Sequence, residues 1–217
     1  MEQGREKIHT TRRTLYLPAL IVAAVLVACA VVLLAVSEGA EAALAGKNGK
    51  IAYVRFGRGG EIFTINPGGG GNTKVTNGDS PAYSPNGRRI AYDGIYTINA
   101  GGGGKYKVTE GRNASYSPDG KRMAYVCYDG GRDPEICTIN VGGGGKRQVT
   151  HNNEWDFDPS YSPNGKKIAY TGYKVFGSSD DEDFDSEIYT IKVGGGGKSQ
   201  VTNSKHHASY PSWGSRP

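Results

Sequence analysis

The sequence is poor in the residues from which most catalytic and metal centres are built. Its 217 residues include three cysteines, four histidines and two tryptophans. His9 precedes the first apolar run, and His151, His206 and His207 lack metal-ligand spacing. No Gly-x-Ser-x-Gly elbow is present, so no hydrolase of that kind is expected. Gly194 to Ser199 ends in Gly-Lys-Ser, but Lys192 stands where a phosphate loop needs its first glycine, and no helix follows. Blocks of like charge are also missing. The net charge of +5 is scattered, without the basic stripe of a nucleic-acid binder, and no nucleic-acid partner is expected.

The first 47 residues read as targeting. A basic segment, 1–14, carries Arg5, Lys7, Arg12 and Arg13, and Leu15 to Val36 then run without a charge. A helix of that length rises about 1.5 Å per residue and spans the ~30 Å hydrocarbon layer. Acidic Glu38 and Glu41 follow in the 37–47 linker, so the positive-inside bias puts everything after Val36 outside. Residues 15–36 are a transmembrane anchor or a signal peptide. The length of the apolar run favours a retained anchor, and Ala43-Leu44-Ala45 before Gly46 favours cleavage near Ala45. The expected location is the cell membrane, single-pass with the domain outside, or secreted after cleavage.

Residues 48–217 are occupied by one repeated unit. It opens with Ala-Tyr-Ser-Pro at 82–85 and Ser-Tyr-Ser-Pro at 115–118 and 160–163, followed by Asn-Gly or Asp-Gly. Then come Ile51-Ala52-Tyr53, Ile90-Ala91-Tyr92, Met123-Ala124-Tyr125 and Ile168-Ala169-Tyr170. After a variable loop follow Phe63-Thr64-Ile65, Tyr96-Thr97-Ile98, Cys137-Thr138-Ile139 and Tyr189-Thr190-Ile191, each leading to four glycines and a closing Val-Thr. Short alternating runs rich in β-branched and aromatic residues are strands, and the Asx-Gly pairs supply hairpin turns. Four glycines exceed what one turn requires, so these tips are expected to be mobile. One unit is a four-stranded antiparallel meander that cannot bury both faces alone, and radial stacking of such sheets solves this.

The run from Ser160 to Tyr170, then Glu187-Ile188-Tyr189-Thr190-Ile191, a glycine turn and Val201-Thr202, resembles the WD-like repeat of the TolB-like β-propeller family. The resemblance implies an all-β propeller and contacts with envelope proteins through loop-bearing faces. That family usually has six blades, whereas four units are counted here. Ser209-Tyr210-Pro211-Ser212 is read as another copy of the opening strand. Residues 207–213 are therefore expected to join the sheet of residues 50–76 and close a ring of four blades, each of four antiparallel strands. Closure by dimerising is the alternative, leaving a monomer or a homodimer.

Three groups of candidate site residues stand out. Trp155, Phe157 and Asp158 lie in an insert that puts bulky aromatics beside a carboxylate, and aromatics of this kind anchor binding surfaces. Asp180, Asp181, Asp183 and Asp185 belong to an acidic insert that could ligate Ca²⁺ or form a solvated loop. Cys127 and Cys137 lie on strands joined by the 129–134 turn, close enough to bridge if directly opposed, or else two free thiols. The expected function is a non-catalytic extracytoplasmic binding scaffold with an envelope protein partner. The alternative is a propeller enzyme or carbohydrate-binding module acting on envelope glycans or peptides.

Overall fold

The computed structural model describes residues 49–57, 59–128, 130, 133–176 and 183–214, all within one compact unit, 42–217. The basic segment, the 15–36 span, the 37–47 linker, Asp180 and Asp181 lie outside the described residues. Among the described residues there is no helix, and the strands fall into four antiparallel sheets.

The first sheet has three strands, β1 (Ile51–Phe56), β2 (Gly60–Ile65) and β3 (Thr73–Asn77). The second has four: β4 (Ala82–Tyr83), β5 (Arg89–Tyr92), β6 (Tyr96–Asn99) and β7 (Tyr106–Lys107). The third runs β8 (Arg112–Tyr116), β9 (Arg122–Cys127), β10 (Glu135–Asn140) and β11 (Arg147–Gln148). The fourth runs β12 (Trp155–Tyr161), β13 (Lys167–Phe176), β14 (Asp183–Lys192) and β15 (Ser199–Gln200).

The Ile-Ala-Tyr motif is explained by how consecutive sheets stack. In β9, Met123 and Tyr125 face a core shared with Ala91 and Ile95 of the second sheet, while Ala124 and Val126 face the fourth. In β13, Ile168 and Tyr170 pack back onto that Ala124. Large residues point to the preceding sheet, and the small alanine makes room for the next one. Period-2 alternation thus gives each strand two different buried faces. A third cluster, with Ile62, Ile90 and Tyr92, joins the first sheet to the second.

Both recurrent turns are built by side chains that the repeat retains. In the Ser-Pro-Asx-Gly turn the serine hydroxyl donates to the Asx carboxyl or amide oxygen: Ser84 to Asn86 at 2.8 Å, Ser117 to Asp119 at 2.6 Å and Ser162 to Asn164 at 2.9 Å. The same hydroxyl accepts the backbone N–H of the residue that starts the next strand, Arg89, Arg122 or Lys167. The glycine tetrads form closed left-handed turns. In each, the last three glycines have positive φ, as at Gly143 (85°), Gly144 (74°) and Gly145 (59°). Asn140 N–H closes the turn on Gly144 O at 3.1 Å. Three successive left-handed residues tolerate only glycine at low cost, which accounts for the length of the tetrad.

Two expectations about closure are corrected. Residues 207–213 form no strand and do not join the first sheet, which keeps three strands. They lie instead along the fourth sheet: Ala208 N–H donates to Ser186 O at 2.8 Å, Tyr210 N–H to Thr171 Oγ1 at 3.2 Å and Trp213 N–H to Ser160 Oγ at 3.4 Å. The register also differs by three residues. Tyr210, with φ 57°, matches the bulge residues Asn113 (54°) and Asp158 (52°), so Ser212-Trp213 corresponds to Ser160-Tyr161. The Ser-Tyr pair at 209–210 resembles the strand opening and sets the sequence alignment three residues too early.

Candidate functional site

Each sheet has a turn end, carrying a glycine turn and, in the second to fourth sheets, the Ser-Pro-Asx-Gly turn, and a loop end, where β9 leads to β10, β13 to β14, and one sheet to the next. Trp155 opens β12 at the loop end of the fourth sheet. Its register partners run across the sheet as Trp155, Tyr173 and Ser186, so the three side chains share a face. Phe157 lies on that face too, and its ring meets Tyr173 edge-on with centroids 5.6 Å apart.

These residues, with His207 and Ser209 of the C-terminal segment, line a cleft of about 490 Å³. Its walls are aromatic. Its polar groups are the His207 imidazole and the hydroxyls of Ser186 and Ser209. The Trp155 indole donates to Asp133 Oδ1 at 3.2 Å, tying the cleft to the β9–β10 loop. The Arg112 guanidinium lies 5.0 Å from the centre of the Phe157 ring and holds its outer face.

Two of the three aromatic-insert residues therefore meet at the cleft, and the third does not line it. Asp158 sits in the β12 bulge, where it accepts a hydrogen bond from Asn113 Nδ2 at 2.7 Å. Burial raises its carboxyl pKa above the usual range, and Asn113 and Arg112 work against that rise. Tyr173, Ser186, His207 and Ser209 were not singled out from sequence. The first two follow from strand register, and the last two from the three-residue realignment of the C-terminus.

The acidic insert is only partly described. Asp183 begins β14 opposite Phe176, and Asp185 lies opposite Lys174. Among the described residues no group of three His, Cys, Asp or Glu side chains is placed to hold a metal ion.

Glu135 of the third sheet and Asp156 of the fourth are buried acidic groups. Glu135 is 6% exposed and accepts from the Thr150 hydroxyl and from Asn152 N–H at 2.9 Å. Asp156 is fully buried and accepts from Asn152 Nδ2 at 2.9 Å, while its Oδ1 has no partner. Burial, with the nearby Glu135 charge adding to it, pushes the Asp156 carboxyl up to about 7. Asp156 stands where the two preceding repeats have Gly78 and Gly111, whose absent Cβ atoms would meet the rings of Tyr92 and Tyr125.

Residues 42–213 match the TolB beta propeller domain. The chain belongs to that family. Its fold is that of a TolB-like β-propeller. The TolB from Acinetobacter baumannii has 23% identity and a TM-score of 0.58, with 74% of this chain and 42% of that one covered. A putative TolB from Agrobacterium tumefaciens has 18% identity and a TM-score of 0.56, with 70% of this chain and 59% of that one covered. The β-propeller domain of the Trilobed protease from Pyrococcus furiosus has 14% identity and a TM-score of 0.47, with 72% and 55% covered. The chain thus spans less than two thirds of the length of these TolB structures. Among curated proteins, none matches the sequence.

Proposed function

We propose that this TolB-like propeller is a non-catalytic extracytoplasmic scaffold that holds an envelope protein on its loop end. It is tethered by residues 15–36 or released by cleavage near Ala45. The observation that carries the reading is the aromatic cleft of Trp155, Phe157 and Tyr173, open at the loop end of the fourth sheet. Concave apolar surfaces with a few convergent polar groups are the usual form of a recognition site. The Cys127–Cys137 disulfide suits an oxidising compartment and supports placement outside the cytoplasm.

The test is capture from a solubilised envelope fraction with the full chain, comparing wild type with Trp155→Ala and with Tyr173→Ala. A protein retained by wild type and lost from both variants supports the scaffold. Glycans bound on an array, with no protein captured, would overturn it in favour of the carbohydrate-binding alternative. Protease accessibility of the propeller in intact cells tests its location.

A further inference from the structure

The groove between the third and fourth sheets and the cleft beside the fourth sheet are the same place in successive repeats. Asp156 N–H donates to Pro134 O, and Ala208 N–H to Ser186 O, both at 2.8 Å. Tyr161 N–H meets Ser115 Oγ, and Trp213 N–H meets Ser160 Oγ, both at 3.4 Å. By this correspondence His207 stands where Trp155 stands one repeat earlier, Ser209 where Phe157 stands, and Asp185 where Asp133 stands.

In the earlier groove the protein supplies its own aromatic filling. The Trp155 indole donates to Asp133 at 3.2 Å, and the Phe157 ring packs under Arg112. In the later groove an imidazole and a small hydroxyl take those two places, and a cleft of about 490 Å³ remains. Its lining includes the Ser186 hydroxyl, which is buried with the residue 1% exposed and has no hydrogen-bond partner. A buried hydroxyl left unpaired is costly, and a ligand that reaches it recovers that cost.

We propose that this cleft receives a tryptophan side chain from the partner protein, occupying the place that Trp155 fills one groove earlier. The inference rests on the scaffold reading only in taking the partner to be a protein. The chemistry favours an indole: a large apolar ring suits the Trp155, Phe157 and Tyr173 walls, and its single N–H suits the unpaired Ser186 hydroxyl as acceptor.

The full chain is titrated with N-acetyl-L-tryptophanamide, with N-acetyl-L-leucinamide and methyl glucoside as comparators, by ligand-observed saturation-transfer NMR. Wild type is expected to contact the indole protons and to discriminate against both comparators. The double variant His207→Trp, Ser209→Phe copies the earlier groove, fills the cleft, and should lose the signal while melting at a higher temperature. If that variant fails to fold, Ser186→Ala gives a second readout, with probe affinity lowered about three- to tenfold for one lost hydrogen bond. Equal probe binding by wild type and filled protein, or no contact with folded wild type, would overturn the proposal. An envelope protein captured equally by both would sink this inference and leave the scaffold standing. Probe binding without any captured protein would sink the scaffold and leave standing only the preference of the cleft for an indole.

Discussion

Cys127 and Cys137 are bonded across β9 and β10, yet they are not opposite each other. Cys127 is in register with Glu135, and Cys137 with Tyr125, so the bridge runs diagonally between strands with a Cα separation of 5.8 Å. Both residues belong to the core that the third sheet shares with the second. The bridge spans a sequence separation of 10 and encloses the β9–β10 loop, including Asp133, the acceptor for Trp155. Chain-entropy arguments give a loop of this size about 2–3 kcal/mol. Cys127→Ser with Cys137→Ser should lower the urea midpoint by that equivalent. Reduction of the wild type should do the same, and unchanged midpoints would show that the bridge adds nothing.

The glycine tetrads offer a matched pair within one turn. Gly142 and Gly144 each have open space where a Cβ would stand, but only Gly144 has positive φ, at 74°. Gly144→Ala forces a left-handed alanine and should cost about 1–2 kcal/mol. Gly142→Ala should be neutral or stabilise by up to about 1 kcal/mol, through the unfolded chain. Thermal melts of the two proteins check the difference. Equal losses would mean that the turn relaxes and does not require its handedness.

The fold was legible because the repeat spells out its own physics. Ile-Ala-Tyr announces a strand with two unlike buried faces, and Ser-Pro-Asx-Gly announces a turn sealed by the serine hydroxyl. The closing strand was misread for a local reason. Ser209-Tyr210 copies Ser160-Tyr161 by letter, whereas the backbone matches Tyr210 to Asp158 through its left-handed bulge. The left-handed residue that marks the true register is Asn113, Asp158 or Tyr210, so it leaves no shared letter in the sequence. Two of the six lining residues of the cleft were legible as well, since Trp155 and Phe157 stand out as large aromatics in an insert. Tyr173 and Ser186 are joined to them only by cross-strand register, which an unaligned repeat does not disclose.

The buried Thr150–Glu135 pair gives a third test. The Thr150 hydroxyl donates to Glu135 and accepts Ile136 N–H at 2.8 Å, in a wholly buried setting. Thr150→Val keeps the shape, strips one donor from a buried carboxylate and leaves an amide unpaired. Each loss is worth about 1–3 kcal/mol. Thr109 ends the second repeat, where Gly94 replaces the glutamate. Thr109→Val should therefore cost less. Comparable losses in chemical denaturation would show that the Glu135 contact contributes little.

Asp156 makes the stability of the propeller depend on pH in a predictable direction. Its carboxyl is pushed up to about 7, first by burial and then by the Glu135 charge, with Asn152 and Lys198 opposing the rise. The unfolded chain loses this proton near pH 4, while the folded protein keeps it until about 7. Across that window the folded state binds more protons, so the contribution of Asp156 to stability is full below pH 4 and falls as pH rises to 7. Asp156→Asn removes the titration and retains the acceptor for Asn152. At pH 7.5 the variant should exceed wild type by on the order of 1–4 kcal/mol, and the gap should close towards pH 4. Asp156→Gly restores the residue found at Gly78 and Gly111 and should show the same loss of slope. Urea denaturation of the three proteins from pH 4 to 8 measures it, and parallel curves would show that Asp156 is already ionised in the folded protein.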